Sequence, residues 1–249
     1  MRTLLQRAAL VCAVAAAGCS QDTTAPDPGG ADATASAVGY DGPLSRADYF
    51  RDEAAMLAGI PLGPMVSPSD SAHPDSLAGR PGRHGPRRPG ALVLHLLRRS
   101  LREHAETEGD SAARALAEPV RELLDSARVA FQGGDTADAA ALVEQAFLAA
   151  AAIVIDLQGT QPLDVLTQRV DSGLVRIDAL IARVEAEDRD ATRLIALRDF
   201  VATLHADAAA ARAAGNLPQA LVSESIAAQL LGRVLHHGRG PGGHGRRRG

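Results

Sequence analysis

The chain predicts an all-α fold, an antiparallel helical bundle of about six helices, and three observations carry that prediction. No stretch alternates apolar and polar residues as a half-buried strand does, and runs of β-branched residues are scarce. Apolar residues instead recur at three- and four-residue spacing between about residues 91 and 236. Gly, Pro and polar capping residues cut that region into six stretches, about 91–107, 110–132, 136–157, 162–187, 190–213 and 217–236.

Composition removes several function classes. All 26 basic residues are Arg, so neither a Schiff-base lysine nor a phosphate-loop lysine is available. Two Tyr, four Phe and no Trp leave no stacking platform for bases or sugars. Two Cys cannot frame a disulfide-rich scaffold. The 50 Ala residues, a fifth of the chain, imply closely spaced helices and a thin core.

The N-terminus reads as an address. Arg2 and Arg7 form a positive start, and Ala8 to Ala17 a short apolar run, too short to cross a bilayer. Ala16-Ala17-Gly18-Cys19 resembles the lipobox of bacterial lipoproteins, with Ala16 where that family prefers Leu. The resemblance covers residues 1–19 only. It implies removal of a signal peptide, residues 1–18, and lipidation of Cys19. Ser20 behind the lipidated Cys implies sorting to the periplasmic face of the outer membrane. Cys12 then leaves with the signal and Cys19 carries lipid, so no thiol remains for a disulfide or a metal. The alternative is an ordinary secretory signal cut near Ala17, which gives a secreted or periplasmic protein.

Residues 19–42, rich in Ala, Asp, Thr, Pro and Gly without an apolar period, are expected to be a disordered tether. A short helix is expected over residues 43–60. Ser45 followed three residues later by Asp48 forms a cap, Tyr49, Phe50, Leu57 and Ile60 form an apolar face, and Gly59 with Pro61 ends it. That face suits docking on the main body better than capture of a partner. Residues 61–90 hold too much Pro and Gly for a packed element and are expected to be a disordered loop.

The helical domain is expected over residues 91–236. Ala113, Leu116, Val120, Leu123, Ala127 and Ala130 form one helix seam. Adding 81 to each number gives Leu194, Leu197, Val201, Leu204, Ala208 and Ala211, all apolar. The same shift carries Gly134-Asp135 onto Gly215-Asn216, Ala139 onto Ala220, and the candidate cap Ser111 onto Thr192. This predicts two tandem three-helix units, each with a hairpin that turns at a left-handed Gly and restarts at an Asp or Asn cap. Ala146 to Ile155, ten apolar residues in a row, predicts a helix buried on all sides. Leu166, Val170, Gly173, Ile177, Leu180 and Val184 predict a second seam, in which Gly173 permits close helix approach.

Candidate chemistry is sparse. His236, at the end of the expected helical domain, and His237 and His244, in a tail expected to be disordered over residues 237–249, are weak candidates for a metal. His73 and His84 lie in the earlier loop, and His95, His104 and His205 lie on helices as surface or half-buried residues. Glu185, Glu187, Asp188 and Asp190 crowd one inter-helix link. Their spacing is not that of a calcium loop, and acids at a helix start favour its dipole. No G-x-S-x-G or H-E-x-x-H motif occurs, so no enzyme activity and no cofactor are expected.

Charge falls in blocks. Residues 91–232 carry a net charge of −8, whereas residues 80–90 carry +4 and residues 233–249 carry +5. Two basic arms, Arg80, Arg83, Arg87 and Arg88 on one side and Arg239, Arg246, Arg247 and Arg248 on the other, are candidates for contact with an anionic surface. The expectation is a non-enzymatic, lipid-anchored cell-envelope protein with a helical binding or scaffold domain. Its partners are the membrane through the anchor and an envelope protein or anionic polymer, not nucleic acid. The alternative is a periplasmic metal- or stress-related binding protein that uses the His/Arg-rich arms.

Overall fold

A computed structural model describes residues 42–59 and 92–237, the side chains of His236 and His237 excepted. Seven α-helices make up these residues: α1 (Arg46–Ala58), α2 (Leu92–Glu108), α3 (Asp110–Gln132), α4 (Thr136–Gln158), α5 (Gln161–Ala186), α6 (Thr192–Ala213) and α7 (Leu217–His237). The chain is an all-α bundle, and no strand occurs among the described residues.

The helix α1 begins as its sequence demands. The Ser45 hydroxyl accepts from the Asp48 amide at 3.1 Å and donates to the Asp48 carboxylate at 2.6 Å. Tyr49, Phe50, Ala54 and Leu57 are buried. Phe50 meets Phe147 of α4 edge to face, with ring centroids 5.6 Å apart. The aromatic stripe therefore docks α1 onto the bundle.

The domain consists of two three-helix units, α2–α3–α4 and α5–α6–α7. In each, the second and third helices form the most extensive pair, and α4 also packs on α7. The two hairpin turns share most of their backbone hydrogen bonds at the offset of 81, although the bond from Thr136 N to Gly134 O has no counterpart in the second. Asp135 N donates to Ala130 O at 2.9 Å, and Asn216 N to Ala211 O at 2.8 Å. Gly134 N donates to Phe131 O, and Gly215 N to Arg212 O, each at 3.0 Å. Gly134 and Gly215 have φ of 89° and 78°, the left-handed conformation that closes a helix at low cost for Gly. Asp135 caps the Asp138 amide at 3.0 Å and Asn216 the Gln219 amide at 3.3 Å.

Three local expectations need correction. The α3 seam centres on Ala113, Ala117, Val120, Leu124 and Ala127, while Leu116 and Leu123 are only half-buried at its edge. Ser111 is exposed inside the first turn rather than at the cap, and Gly109 occupies the cap position of α3. The helix enclosed on all sides is α7, where every residue from Ala220 to Ala228 is buried. Over Ala146 to Ile155, α4 buries only Ala146, Phe147, Ala150, Ala151 and Val154 and leaves the rest half-buried. By length and composition α4 is apolar enough to cross a membrane, yet its buried face packs on α1, α2, α3 and α7. Apolar content alone misplaced the centre of the bundle, because α7 carries its burial on a sequence that includes Ser223-Glu224-Ser225.

Gly173 acts as expected. A Cβ built there lies 2.6 Å from Leu231 Cδ1, so any larger residue requires the Leu231 side chain to turn away or α5 to shift from α7. Beside the contact lies a cleft of about 350 Å³ between α5 and α7, lined in part by Gln168, Arg169, Arg176 and Leu235.

Candidate functional site

Several sequence-level candidates lie outside the described residues: Cys19, Arg80, Arg83, Arg87, Arg88, Arg239, His244, Arg246, Arg247 and Arg248, with His73 and His84. His236 and His237 are the last residues of α7, and their side chains also fall outside. His95 is exposed on α2 and His104 is half-buried there. The acidic link takes a capping role at one position, where the Asp190 carboxylate accepts from the Thr192 amide at 2.8 Å. The Thr192 hydroxyl and amide hold the Asp190 carboxyl below its ordinary pKa.

The polar chemistry of the described residues converges on α7. Glu224 is buried, with 2% of its side chain exposed. Its Oε1 lies 2.8 Å from His205 Nδ1 on α6 and accepts from the Thr167 hydroxyl on α5 at 3.2 Å. On the other side of the imidazole, His205 Nε2 lies 3.2 Å from Asp171 Oδ1 at the surface. A row of Asp171, His205 and Glu224 thus runs from solvent to core across three helices. Burial pushes the Glu224 carboxyl above its ordinary pKa, against the opposing pull of His205 and Thr167. The second carboxylate oxygen of Glu224 has no hydrogen-bond partner.

A second cluster joins α7 to α1 and α2. Glu53 Oε1 accepts from Gln229 Nε2 at 3.1 Å and from Arg233 Nη2 at 3.4 Å. Gln229 Oε1 in turn accepts from the Tyr49 hydroxyl and the Leu92 amide, each at 3.1 Å. Burial raises the Glu53 pKa, and Arg233, Gln229 and Tyr49 oppose the rise. Higher on the same helix, Ser223 accepts from Arg46, whose guanidinium also pairs with Glu144 of α4 at 2.8 Å and lies over the Phe50 ring.

These contacts cross-link helices. Each hydrogen bond that fixes Glu224 or Glu53 comes from a helix other than its own, and the clusters set the register of α7 against α1, α2, α5 and α6. His205 has both ring nitrogens facing carboxylates, which occupies the positions a metal ion or a substrate proton would need. No group of three or more metal-type ligands is placed to hold an ion among the described residues.

From the sequence, His205 is legible only as a surface or half-buried residue on a helix. Asp171, Glu224, Glu53 and Gln229 passed unnoticed, because their helix-period positions resemble solvated faces. One signal was available: at the offset of 81, Leu124 and Val143 fall on His205 and Glu224, a jointly apolar pair replaced by a jointly ionisable one. No protein-family model, curated protein or solved structure matches this chain.

Proposed function

We propose that the protein is a non-enzymatic, lipid-anchored component of a bacterial cell envelope, in which a rigid helical domain stands off the membrane and serves as a binding or scaffold module. The observation that carries the anchor is Ala16-Ala17-Gly18-Cys19 behind a positive, apolar leader. The scaffold role draws support from the use of polar chemistry in the domain, where the buried ionisable groups bind other helices instead of lining a cleft. The basic residues Arg80, Arg83, Arg87, Arg88, Arg239, Arg246, Arg247 and Arg248 flank an acidic domain and suit an anionic envelope polymer or lipid headgroup. Ser20 after Cys19 directs this reading to the periplasmic face of the outer membrane. Diacylglyceryl plus N-acyl chains on Cys19 supply the two or more lipid anchors that stable attachment requires.

The test is the mass of the N-terminal peptide from protein expressed in its own envelope, with detergent-phase partition as a second readout. Triacylated Cys19, and loss of detergent partition in Cys19→Ala, are expected. An unmodified Cys19, or cleavage elsewhere with the chain in the aqueous phase, overturns the anchor.

A further inference from the structure

The helix α5 has a second seam, diametrically opposite the buried one. Val165, Gln168, Ser172, Val175, Ala179, Ala182 and Ala186 recur at spacings of three and four, and every one is exposed. Val165 and Val175 are 59% and 70% exposed, two of only four large apolar side chains so exposed among the described residues. Seven-residue rows of single charge flank this stripe. Asp164, Asp171, Asp178 and Glu185 lie on one side, and Arg169, Arg176 and Arg183 on the other. With the stripe as positions a and d of a heptad, the acids occupy every g position and the arginines every e position between residues 164 and 185.

That pattern is complementary to itself in one orientation. In a parallel helix pair each g residue meets the following e residue of the partner helix, so Asp164, Asp171 and Asp178 meet Arg169, Arg176 and Arg183 of the second copy. In an antiparallel pair g meets g and e meets e, so like charges face each other along the whole length. The acids are held within their own chain by α6, with Asp164 2.7 Å from Arg212, Asp171 3.2 Å from His205 and Asp178 3.2 Å from Arg198. They nevertheless remain half-exposed, between 51% and 59%. Among the described residues no ion pair or side-chain hydrogen bond engages the guanidinium of Arg169, Arg176 or Arg183. The cleft beside Gly173 lies on this arginine side and is lined by Arg169 and Arg176, and all three arginines are exposed.

We propose that the outer face of α5 is a self-association surface, on which a second copy of this chain packs its own α5 parallel and in register. The small residues of the stripe allow the helices to approach closely, and the two valines supply its apolar contact. Three acid–arginine pairs on each side select orientation and register. The apolar contact is thin, so the charge rows carry much of the selectivity and the association weakens with salt.

The test is cysteine cross-linking of the full chain in detergent, with Cys12 and Cys19 changed to Ser so that an introduced thiol stands alone. Val165→Cys and Val175→Cys are made separately. The two positions are about 15 Å apart along a helix, and a disulfide needs α-carbons within about 7 Å. A parallel in-register pair therefore cross-links at both positions, whereas an antiparallel pair brings at most one of them to its own counterpart. Adding Arg169→Glu, Arg176→Glu and Arg183→Glu, all at exposed positions, is expected to lower the cross-linked fraction at least about tenfold. Circular dichroism checks that this variant keeps its helicity. Raising salt to about 1 M on the arginine-bearing chain should weaken cross-linking in the same direction, independently of whether the charge-reversed chain folds. Cross-linking at neither position, at only one, or at both but insensitive to salt overturns the proposal.

Discussion

The hairpins α3–α4 and α6–α7 share one left-handed Gly turn, one offset and closely similar backbone hydrogen bonds, yet they are held by different chemistry. In the first, Leu124 and Val143 are fully buried apolar residues. In the second, the equivalent positions hold His205 and Glu224, which meet at 2.8 Å. The exchange continues along the last helix, where Leu142 and Leu148 of α4 correspond to Ser223 and Gln229 of α7. The first hairpin is therefore secured by non-directional burial. The second adds directional contacts that reach α1, α2 and α5 as well. Burial tolerates sliding, whereas a hydrogen-bonded carboxylate accepts one register. The directional contacts belong to α7, the helix at the centre of the bundle, and not to the more apolar α4.

Moving the chemistry of one hairpin into the other breaks the comparison most severely. Val143→Glu places a carboxylate in the first hairpin with no imidazole opposite, since Leu124 occupies that place. The expected cost is about 3–5 kcal/mol, enough to unfold much of the domain, measured by urea denaturation. Full stability in that variant would show that the first hairpin is not the dry environment described.

The helix that precedes each hairpin gives the next effect. At the common offset Leu92 and Ala150 correspond to Gly173 and Leu231, with large and small residues exchanged between helices. Gly173→Val would drive its Cβ into Leu231 and should cost about 2–3 kcal/mol by overpacking, read from the shift in denaturation midpoint. A neutral result would mean that Leu231 turns away into the neighbouring cleft without cost, and that Gly173 is not needed for the contact of α5 with α7.

Acidity should act on the polar region and spare the apolar one. Folding raises the pKa of both Glu224 and Glu53, so each binds its proton more tightly in the folded state. The stability this confers is fully present below the unfolded carboxylate pKa and is lost as pH rises through the raised folded value. The melting temperature should therefore carry a component that falls as pH rises above the ordinary carboxylate range, and Glu53→Gln with Glu224→Gln should remove that component. An unchanged pH profile in the double variant would remove the two carboxyls from the account.

The smallest effect lies where the hairpins are most alike. Asp135→Ala and Asn216→Ala each delete one side-chain cap and should cost about 1 kcal/mol, the Asn change less because its bond is longer. Unequal costs of several-fold would show that the two turns are not equivalent in energy.

Much of this fold was legible before any coordinates. The helix stretches between residues 91 and 236, the two left-handed glycines and the role of Gly173 follow from spacing and from residues whose backbone preferences are strong. The Ser45 cap and the docking stripe of Tyr49 and Phe50 were legible for the same reason. The polar clusters were not. Glu224 sits at a helix-period position that a surface residue would also occupy, and its partners Thr167 and His205 lie 57 and 19 residues away. Pairing across three helices depends on rotation about helix axes, which periodicity constrains only coarsely. The candidate anchor Cys19 and the basic arms rest on sequence motif and composition, since they lie outside the described residues.

The central claim is that His205 and Glu224 form a helix-locking pair that stands in for an apolar one. A thermodynamic cycle of His205→Leu, Glu224→Val and both together, followed by urea denaturation at neutral pH, tests it most directly. His205→Leu alone strands a buried carboxylate and should cost about 1–3 kcal/mol. The double variant restores the chemistry of Leu124 and Val143 and should recover to within about 1 kcal/mol of the parent, or exceed it. Additive losses, with the double variant as unstable as the sum of the two singles, would contradict the claim.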